Sequence, residues 1–209
     1  MCSITRKNGF TLVEMLVVIG IISILAGLAM GSFSKIVARA EKAKCQELVS
    51  NAATALTRLF QEDGVWPKVL LASGKVDGKL DERAAFPLAK RGYLSLTMNS
   101  NSSALDGYDK FGVITPWAVD AVKRAGVSAS LSTAVSGGGK ISDHILHYAI
   151  DFDGDGVISG ASVGGESVDV RADVIVWSGG KDGVIEPYTK GKKKDDVYSW
   201  TEGQTRMVK

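Results

Sequence analysis

The chain has 209 residues, and its 25 Lys and Arg residues nearly balance its 23 Asp and Glu residues. This balance excludes a strongly basic nucleic-acid-binding protein and an acidic solvating tail. Four Pro and two Cys residues exclude the collagen-like, proline-rich and disulfide-dense classes. The length allows one sizeable domain. These averages conceal an uneven distribution, because the apolar residues are concentrated at the start of the chain.

The first distinctive feature is an apolar segment from Phe10 to Met30. Its polar residues are Thr11, Glu14 and Ser23. At about 1.5 Å per residue, a helix of this length spans roughly 30 Å, the thickness of a bilayer core. The preceding residues include Arg6 and Lys7 but no acid, and positive residues before a first span stay in the cytoplasm. We therefore expect a membrane-spanning helix, with the remainder of the chain outside the inner membrane.

A generic secretory signal is the main alternative for this segment, with Ala29, Met30 and Gly31 as its cleavage site. Two features favour a retained helix instead. The apolar segment is longer than the core of a secretory signal, and the carboxylate of Glu14 lies inside its start. A charged side chain is costly in a membrane segment, so its presence indicates a function.

The residues Gly9-Phe10-Thr11-Leu12-Val13-Glu14, after a short basic leader and before the apolar run, resemble the prepilin signal of type IV pilins and type II secretion pseudopilins. The resemblance implies that a prepilin peptidase cleaves between Gly9 and Phe10 and methylates the new N-terminus of Phe10. Glu14 then occupies the position of the family's glutamate, which is thought to pair with the N-terminal amine of a neighbouring subunit. An uncleaved signal anchor is the alternative. The family usually has a proline where this chain has Gly31, so bending there is an open question.

Beyond Gly31 the apolar residues follow helical spacing and form one stripe. Its members are Cys45, Leu48, Val49, Ala52, Leu56, Leu59 and Phe60. The pattern predicts that the helix continues to about Glu62 and is stopped by Gly64 and Pro67. We therefore predict that the whole chain divides into four segments: a leader (1–9), a transmembrane and filament-core helix (10–31), an amphipathic half of the same helix (32–62) and a periplasmic head (63–209).

The head is predicted to complete an α+β fold, in which the long helix packs on a small antiparallel sheet. Strand candidates are 145–150, 168–177 and 197–200, and a short helix is expected near 116–123. Residues 128–140 are rich in Ser and Gly and are expected to be a flexible excursion. His144 and His147 are three apart, which places them on opposite faces of a strand and argues against a zinc site.

An acidic loop, Asp151-Phe152-Asp153-Gly154-Asp155-Gly156-Val157-Ile158, matches the first half of a calcium loop. Asp151, Asp153 and Asp155 would supply carboxylate oxygens, and Val157 a backbone carbonyl. The twelfth position of such a loop should be an acid and is Ser162, whereas Glu166 would require a longer loop. A turn that only connects strands is the alternative.

A second acidic region resembles the C-terminal end of the major pseudopilin of type II secretion. It contains an Asp-Gly turn at Asp182 and the pair Asp195-Asp196 before a final Tyr-Ser-Trp. The resemblance implies a calcium site formed by Asp182, Asp195 and Asp196. Another family aspartate falls at Lys194, so Asp195 would have to replace it. A plain hairpin with a charged tip is the alternative.

The combined features favour a structural subunit of a type II secretion pseudopilus, and not an enzyme. The resemblance implies a prepilin peptidase, other pseudopilins, an inner-membrane assembly platform and membrane lipid as partners, with calcium as a ligand and no nucleic acid. It also implies an inner-membrane location before assembly into a periplasmic filament. Two alternatives stay open: a type IV pilin or minor pilin of a surface fibre, and a membrane-anchored or secreted calcium-dependent binding domain.

Overall fold

The computed structural model describes residues 11–99, 104–188 and 195–207, except for the side chains of residues 28–32, 34, 73, 202, 206 and 207. The chain divides into two compact units, Met1–Ala40 and Glu41–Lys209. Helix α1 (Leu12–Asp63) contributes residues to both units and is continuous at Gly31. The division of the chain into leader, filament core, amphipathic half and head stays a prediction.

The second half of α1 forms part of the core of the larger unit. The stripe predicted from helical spacing is confirmed: Cys45, Val49, Ala52, Leu56 and Leu59 are buried, and Leu48 and Phe60 pack against them. The helix ends at Asp63, one residue later than predicted, and is followed by a glycine with a positive φ of 64°. This conformation suits glycine and stops the helix.

Three shorter helices pack in the same unit. Helix α2 (Lys68–Ser73) follows Pro67, and α3 (Glu82–Lys90) is capped by Asp81, whose carboxylate accepts the N–H of Ala84 at 3.0 Å. Neither helix was expected from the short apolar pieces in this stretch. Helix α4 (Pro116–Ala125) agrees with the prediction and begins with a proline, whose missing N–H is tolerated at that position.

The strands form two antiparallel sheets. The first contains β1 (Gly78–Lys79), β2 (His147–Ile150), β5 (Val174–Ser178) and β6 (Val197–Tyr198), in that order across the sheet. The second contains β3 (Ile158–Val163), β4 (Glu166–Val170) and β7 (Thr205–Met207). Since helices and antiparallel strands share one core, the predicted α+β class is confirmed.

The single strand predicted at 168–177 is wrong, because this stretch forms β4 and β5 in different sheets. The chain leaves the second sheet at Arg171, whose N–H donates to the carbonyl of Gln204, and joins the first at Asp173, whose carbonyl accepts the N–H of Asp151. Val174 and Val176 then face the core that contains α1, while their neighbours on β5 face a second core. Strand β5 is buried throughout.

The Ser/Gly-rich stretch 128–140 is folded onto the unit, contrary to the expectation of a flexible excursion. The N–H of Val135 donates to the carbonyl of Gly139 at 3.1 Å, and Ala134 bridges Lys140. A Cβ atom at Gly137 would lie 2.1 Å from the carbonyl oxygen of Lys181. The glycine is therefore required for a close approach between two backbones, and not for flexibility.

Candidate functional site

The start of α1 is a capping box formed by Thr11 and Glu14. One carboxylate oxygen of Glu14, Oε2, accepts the backbone N–H and the hydroxyl of Thr11, both at 2.8 Å. The N–H of Glu14 donates to the Thr11 hydroxyl oxygen at 3.3 Å. The arrangement satisfies N–H groups that lack partners at a helix start. Sequence reasoning missed the role of Thr11, although the Thr-x-x-Glu spacing is its signal.

The first part of α1 presents its apolar side chains without burying them. Every residue from Thr11 to Gly27 is exposed, and the large apolar ones include Leu12, Val13, Leu16, Ile19, Ile22 and Leu25. Ser23 donates its hydroxyl to the carbonyl of Ile19 at 2.7 Å, so this polar group is satisfied within the helix. Among the described residues, no helix combines the length and hydropathy of a membrane span. The predicted cleavage site, Gly9 and Phe10, lies outside them.

Three carboxylates converge at the C-terminal loop. Oxygen atoms of Glu186, Asp195 and Asp196 all lie within 4.8 Å of one another. The side chain of Glu186, in one loop, thus lies close to those of the two aspartates directly before β6. We call these three residues the acidic cluster. Carboxylate oxygens are the hard ligands that calcium prefers.

Asp196 is the buried member of the acidic cluster, with 6% of its surface exposed. Its Oδ2 accepts the N–H of Glu186 at 3.0 Å and the hydroxyl of Tyr198 at 2.8 Å. Among the described residues, its Oδ1 is buried without a hydrogen-bond partner. Burial raises the pKa of Asp196 to about 6, although its two hydrogen bonds act in the opposite direction. Such an oxygen is suited to a cation.

The ligand set predicted from sequence is only partly brought together. Asp195 joins Asp196, and its Oδ2 also accepts the N–H of Lys181 at 2.5 Å and that of Asp182 at 3.3 Å. The carboxylate of Asp182 instead accepts the N–H of Val184 at 2.9 Å, which closes its own turn. Glu186 takes the third place in the cluster. Its sequence signal is that it is the only acid between Asp182 and Asp195. Lys194 lies outside the described residues.

The loop from Asp151 to Val157 brings carboxylate oxygens of Asp151, Asp153 and Asp155 within 4.8 Å of one another. Both oxygens of the buried Asp151 accept loop N–H groups, from Gly154 at 2.8 Å and Gly156 at 2.7 Å. Although burial opposes ionisation, these bonds lower the pKa of Asp151. A hydrogen bond to Asp151 and the nearby Asp155 raise the pKa of Asp153.

The remaining members of the predicted calcium loop lie beside this cluster or in the adjoining hairpin. The N–H of Val157 donates to Asp155 Oδ1 at 2.8 Å. Ser162 and Glu166 lie on β3 and β4, the two strands that follow the loop. The glycine predicted to allow the sharp turn, Gly156, has a φ of 78°.

The two histidines have separate structural partners. The buried His144 is 2.9 Å from the hydroxyl of Thr115 through Nδ1 and 2.9 Å from the carbonyl of Gly138 through Nε2. His147 is 2.5 Å from Asp77 through Nδ1. Each histidine therefore connects separate segments of the chain within the larger unit. Neither lies in the two clusters of potential metal ligands found among the described residues.

The matches to known proteins each cover less than half of this chain. Residues 4–30 match the family model "Prokaryotic N-terminal methylation motif". The type IV major pilin protein PilE of Neisseria gonorrhoeae is 30% identical over 103 residues, which is 47% of this chain and 60% of PilE. The fimbrial protein EcpC of Eikenella corrodens is 32% identical over 102 residues, which is 47% of this chain and 67% of EcpC. The chain belongs to the type IV pilin-like family.

A fimbrial protein of Neisseria meningitidis serogroup A is also similar, at 30% identity over 101 residues. The pilin-like chain thus matches 59–67% of the length of these three relatives. The prediction of a pilin-like structural subunit, and not an enzyme, is confirmed by this membership. No solved structure matches the chain.

Proposed function

We propose that this pilin-like chain is a subunit of a type II secretion pseudopilus that polymerises through the first part of α1. The observation that carries the proposal is the exposed apolar surface from Leu12 to Leu25. An exposed apolar surface of this kind indicates an interaction with a membrane or with other proteins. In our proposal it is held in the inner membrane by lipid first and by neighbouring helices after assembly. A prepilin peptidase and an inner-membrane platform would act before assembly.

Glu14 is the proposed assembly residue. Both bonds from Thr11 fall on Oε2, and no hydrogen bond to Oε1 is found among the described residues. Cleavage between Gly9 and Phe10 would create an N-terminal amine, and an amine and a carboxylate in a membrane each require a partner. Pairing between subunits would satisfy both groups.

N-terminal sequencing of the mature protein tests the processing step. We expect N-methylated Phe10 as the first residue, whereas a mature chain beginning at Ser32 would contradict the proposal. Glu14→Ala should abolish filaments and preserve membrane insertion. Glu47→Ala is the matched control, because Glu47 is an exposed acid farther along the same helix. Normal filaments from Glu14→Ala would contradict the pairing.

A type IV pilin of a surface fibre is the second candidate. The names of the relatives favour it, since PilE is a type IV major pilin and EcpC is a fimbrial protein. The acidic cluster favours the pseudopilin, because it lies where the resemblance to the major pseudopilin implies calcium. Immunogold labelling of intact cells separates the two. Surface fibres would favour the pilin, and labelling only after the outer membrane is opened would favour the pseudopilin.

We further propose that the acidic cluster holds calcium. The donor set fits, because Glu186, Asp195 and Asp196 offer hard oxygens and one oxygen of Asp196 is buried without a protein partner. A cation would offset the repulsion between the three carboxylates and hold the loop closed. Calcium should raise the melting temperature of the full chain in detergent micelles. Asp182→Asn should keep this effect, because that carboxylate lies outside the cluster, while Asp196→Asn should remove it.

The loop with Asp151, Asp153 and Asp155 is the second position proposed for calcium, with the Val157 carbonyl as the fourth ligand. Its support is the D-x-D-x-D-G pattern together with the convergence of the three carboxylates. Titration calorimetry can count the ions. Asp153→Asn should remove one binding event and leave the event that depends on Asp196. An unchanged number of bound ions would contradict calcium at this loop.

A further inference from the structure

Two members of the acidic cluster, Asp195 and Asp196, lie directly before β6, the last strand of the first sheet. Strand β6 has only two residues and pairs with one neighbour, β5, through Trp177 opposite Tyr198 and Ser178 opposite Val197. A short edge strand with a single partner contributes few hydrogen bonds of its own. Its position therefore depends on the residues that flank it, and Asp195 and Asp196 flank it on the N-terminal side.

Helix α1 rests on this same pair of strands. The amide of Gln46 donates to the carbonyl of Tyr198 on β6 at 3.1 Å. Burial raises the pKa of the Cys45 thiol, and the neighbouring side chain of Ser178 on β5 partly offsets this rise. Two consecutive helix residues thus lie against β5 and the edge strand β6.

The carboxylates of the cluster also bind the loop that faces β6. Asp195 accepts N–H groups from Lys181 and Asp182, and Asp196 accepts the N–H of Glu186. These bonds connect the loop to β6. Three carboxylates within 4.8 Å repel one another, and this repulsion weakens the closed state in which the loop is bonded to β6. A divalent cation between the carboxylates would favour the closed state.

We infer that calcium at the acidic cluster controls how firmly the Cys45–Gln46 turn of α1 is held against the sheet. The inference rests on the proposed calcium site and adds a regulated contact to it. Without calcium, the loop and β6 open more often, the Gln46 bond is lost and Cys45 becomes accessible. With calcium, the edge strand stays in place and the helix turn stays packed. The metal thereby acts on the helix through which we propose that subunits assemble.

Cys45 provides a direct probe of this contact. The chain has two cysteines, so Cys2→Ser leaves Cys45 as its only thiol. Burial raises the pKa of Cys45 to about 11, so the closed state reacts slowly with thiol reagents. If labelling requires the open state and calcium binds only the closed one, the rate falls by the factor 1 + [Ca²⁺]/Kd. At 100 times Kd the expected decrease is about 100-fold.

The experiment measures thiol labelling of the full Cys2→Ser chain in detergent micelles, with calcium and with a chelator. Asp196→Asn should label at one rate in both conditions, and Asp182→Asn should retain the calcium effect. Gln46→Leu should label faster in calcium while calorimetry still detects binding, because this change breaks the helix contact and leaves the cluster intact.

A second thiol separates local opening from global unfolding. In a chain that also carries Cys45→Ala, Leu56→Cys places a thiol about 16 Å farther along α1, at another buried position. We expect calcium to protect Cys45 much more strongly than this position. Equal protection of both would overturn the inference, because global stabilisation would then explain the result.

Two further outcomes distinguish the inference from the proposed site. If calorimetry detects calcium at the cluster but the labelling of Cys45 does not change, the inference is overturned and the calcium site stands. If no calcium binds, both are overturned.

Discussion

Asp196 gives the sharpest prediction for the metal-free protein. Its pKa is raised from 3.8 to about 6 in the folded chain, so the folded state binds more protons than the unfolded state between these pH values. The contribution of Asp196 to the free energy of unfolding therefore falls as the pH rises from about 4 to about 6. Above pH 6 this contribution stays low. Ionised Asp196 is a destabilising group at neutral pH in the absence of calcium.

The magnitude follows from the size of the shift. About two pH units correspond to roughly 3 kcal/mol, and screening by solvent around the cluster reduces this to about 2 kcal/mol. Asp196→Asn removes the charge while its side-chain oxygen can still accept from Glu186 and Tyr198. Its amide N–H groups would then face the oxygens of Glu186 and Asp195, which are acceptors.

The variant should therefore be more stable than the parent chain at pH 7 in a chelator, by about 2 kcal/mol, or roughly 5 °C in melting temperature. At pH 4 the difference should disappear. Trp177 and Trp200 lie in one aromatic cluster beside β6, so tryptophan fluorescence is a suitable probe of unfolding. Asp182→Asn is the control and should show no such pH-dependent gain. A less stable Asp196→Asn at pH 7 would refute the reasoning.

Three further changes test other contacts. Thr11→Val should remove the capping hydroxyl and lower the stability of the first turn of α1 by about 1 kcal/mol. Amide hydrogen exchange in that turn should then become about fivefold faster. Thr11→Ser keeps the hydroxyl and should exchange at the same rate as the parent chain. Gly137→Ala should cost about 1–3 kcal/mol in denaturant unfolding, because its Cβ would lie 2.1 Å from a backbone carbonyl. Gly203→Ala, which meets no atom within 4 Å, should change stability little. Trp66→Phe should cost about 1 kcal/mol through the lost bond to the carbonyl of Asp151, while Trp66→Ala should cost about 3–5 kcal/mol by also removing the stacking ring.

The features that sequence predicted well depend on local rules. The buried stripe of α1 follows from helical spacing, and its end follows from Gly64 and Pro67. The prepilin motif is similarly contiguous, and residues 4–30 match the family model. Each of these signals lies within one segment, so it can be recognised without knowledge of the tertiary structure.

The features that sequence predicted poorly depend on which segments meet. The alternation over 168–177 satisfies the pattern of one long strand, yet Arg171 and Asp173 bond to different parts of the chain and divide it. Glu186 enters the acidic cluster and Asp182 does not, because the loop folds back between them and the Asp182 carboxylate closes its own turn. Spacing along the chain does not record such approaches.

The larger unit completes its core without the first part of α1. Strand β5 contributes to one core with residues 45–59 of the helix. It also contributes to a second core with residues of β3 and β4, and this second core includes Tyr188 and Trp200. Its apolar helix residues are thus already buried by the unit itself, whereas those from Leu12 to Leu25 are exposed. A surface that folding of the described chain does not use is available to lipid or to another subunit. In our proposals the two halves of one helix therefore have separate roles. The second half is held by contacts such as that of Gln46, which calcium would regulate, and the apolar surface of the first half would serve in assembly.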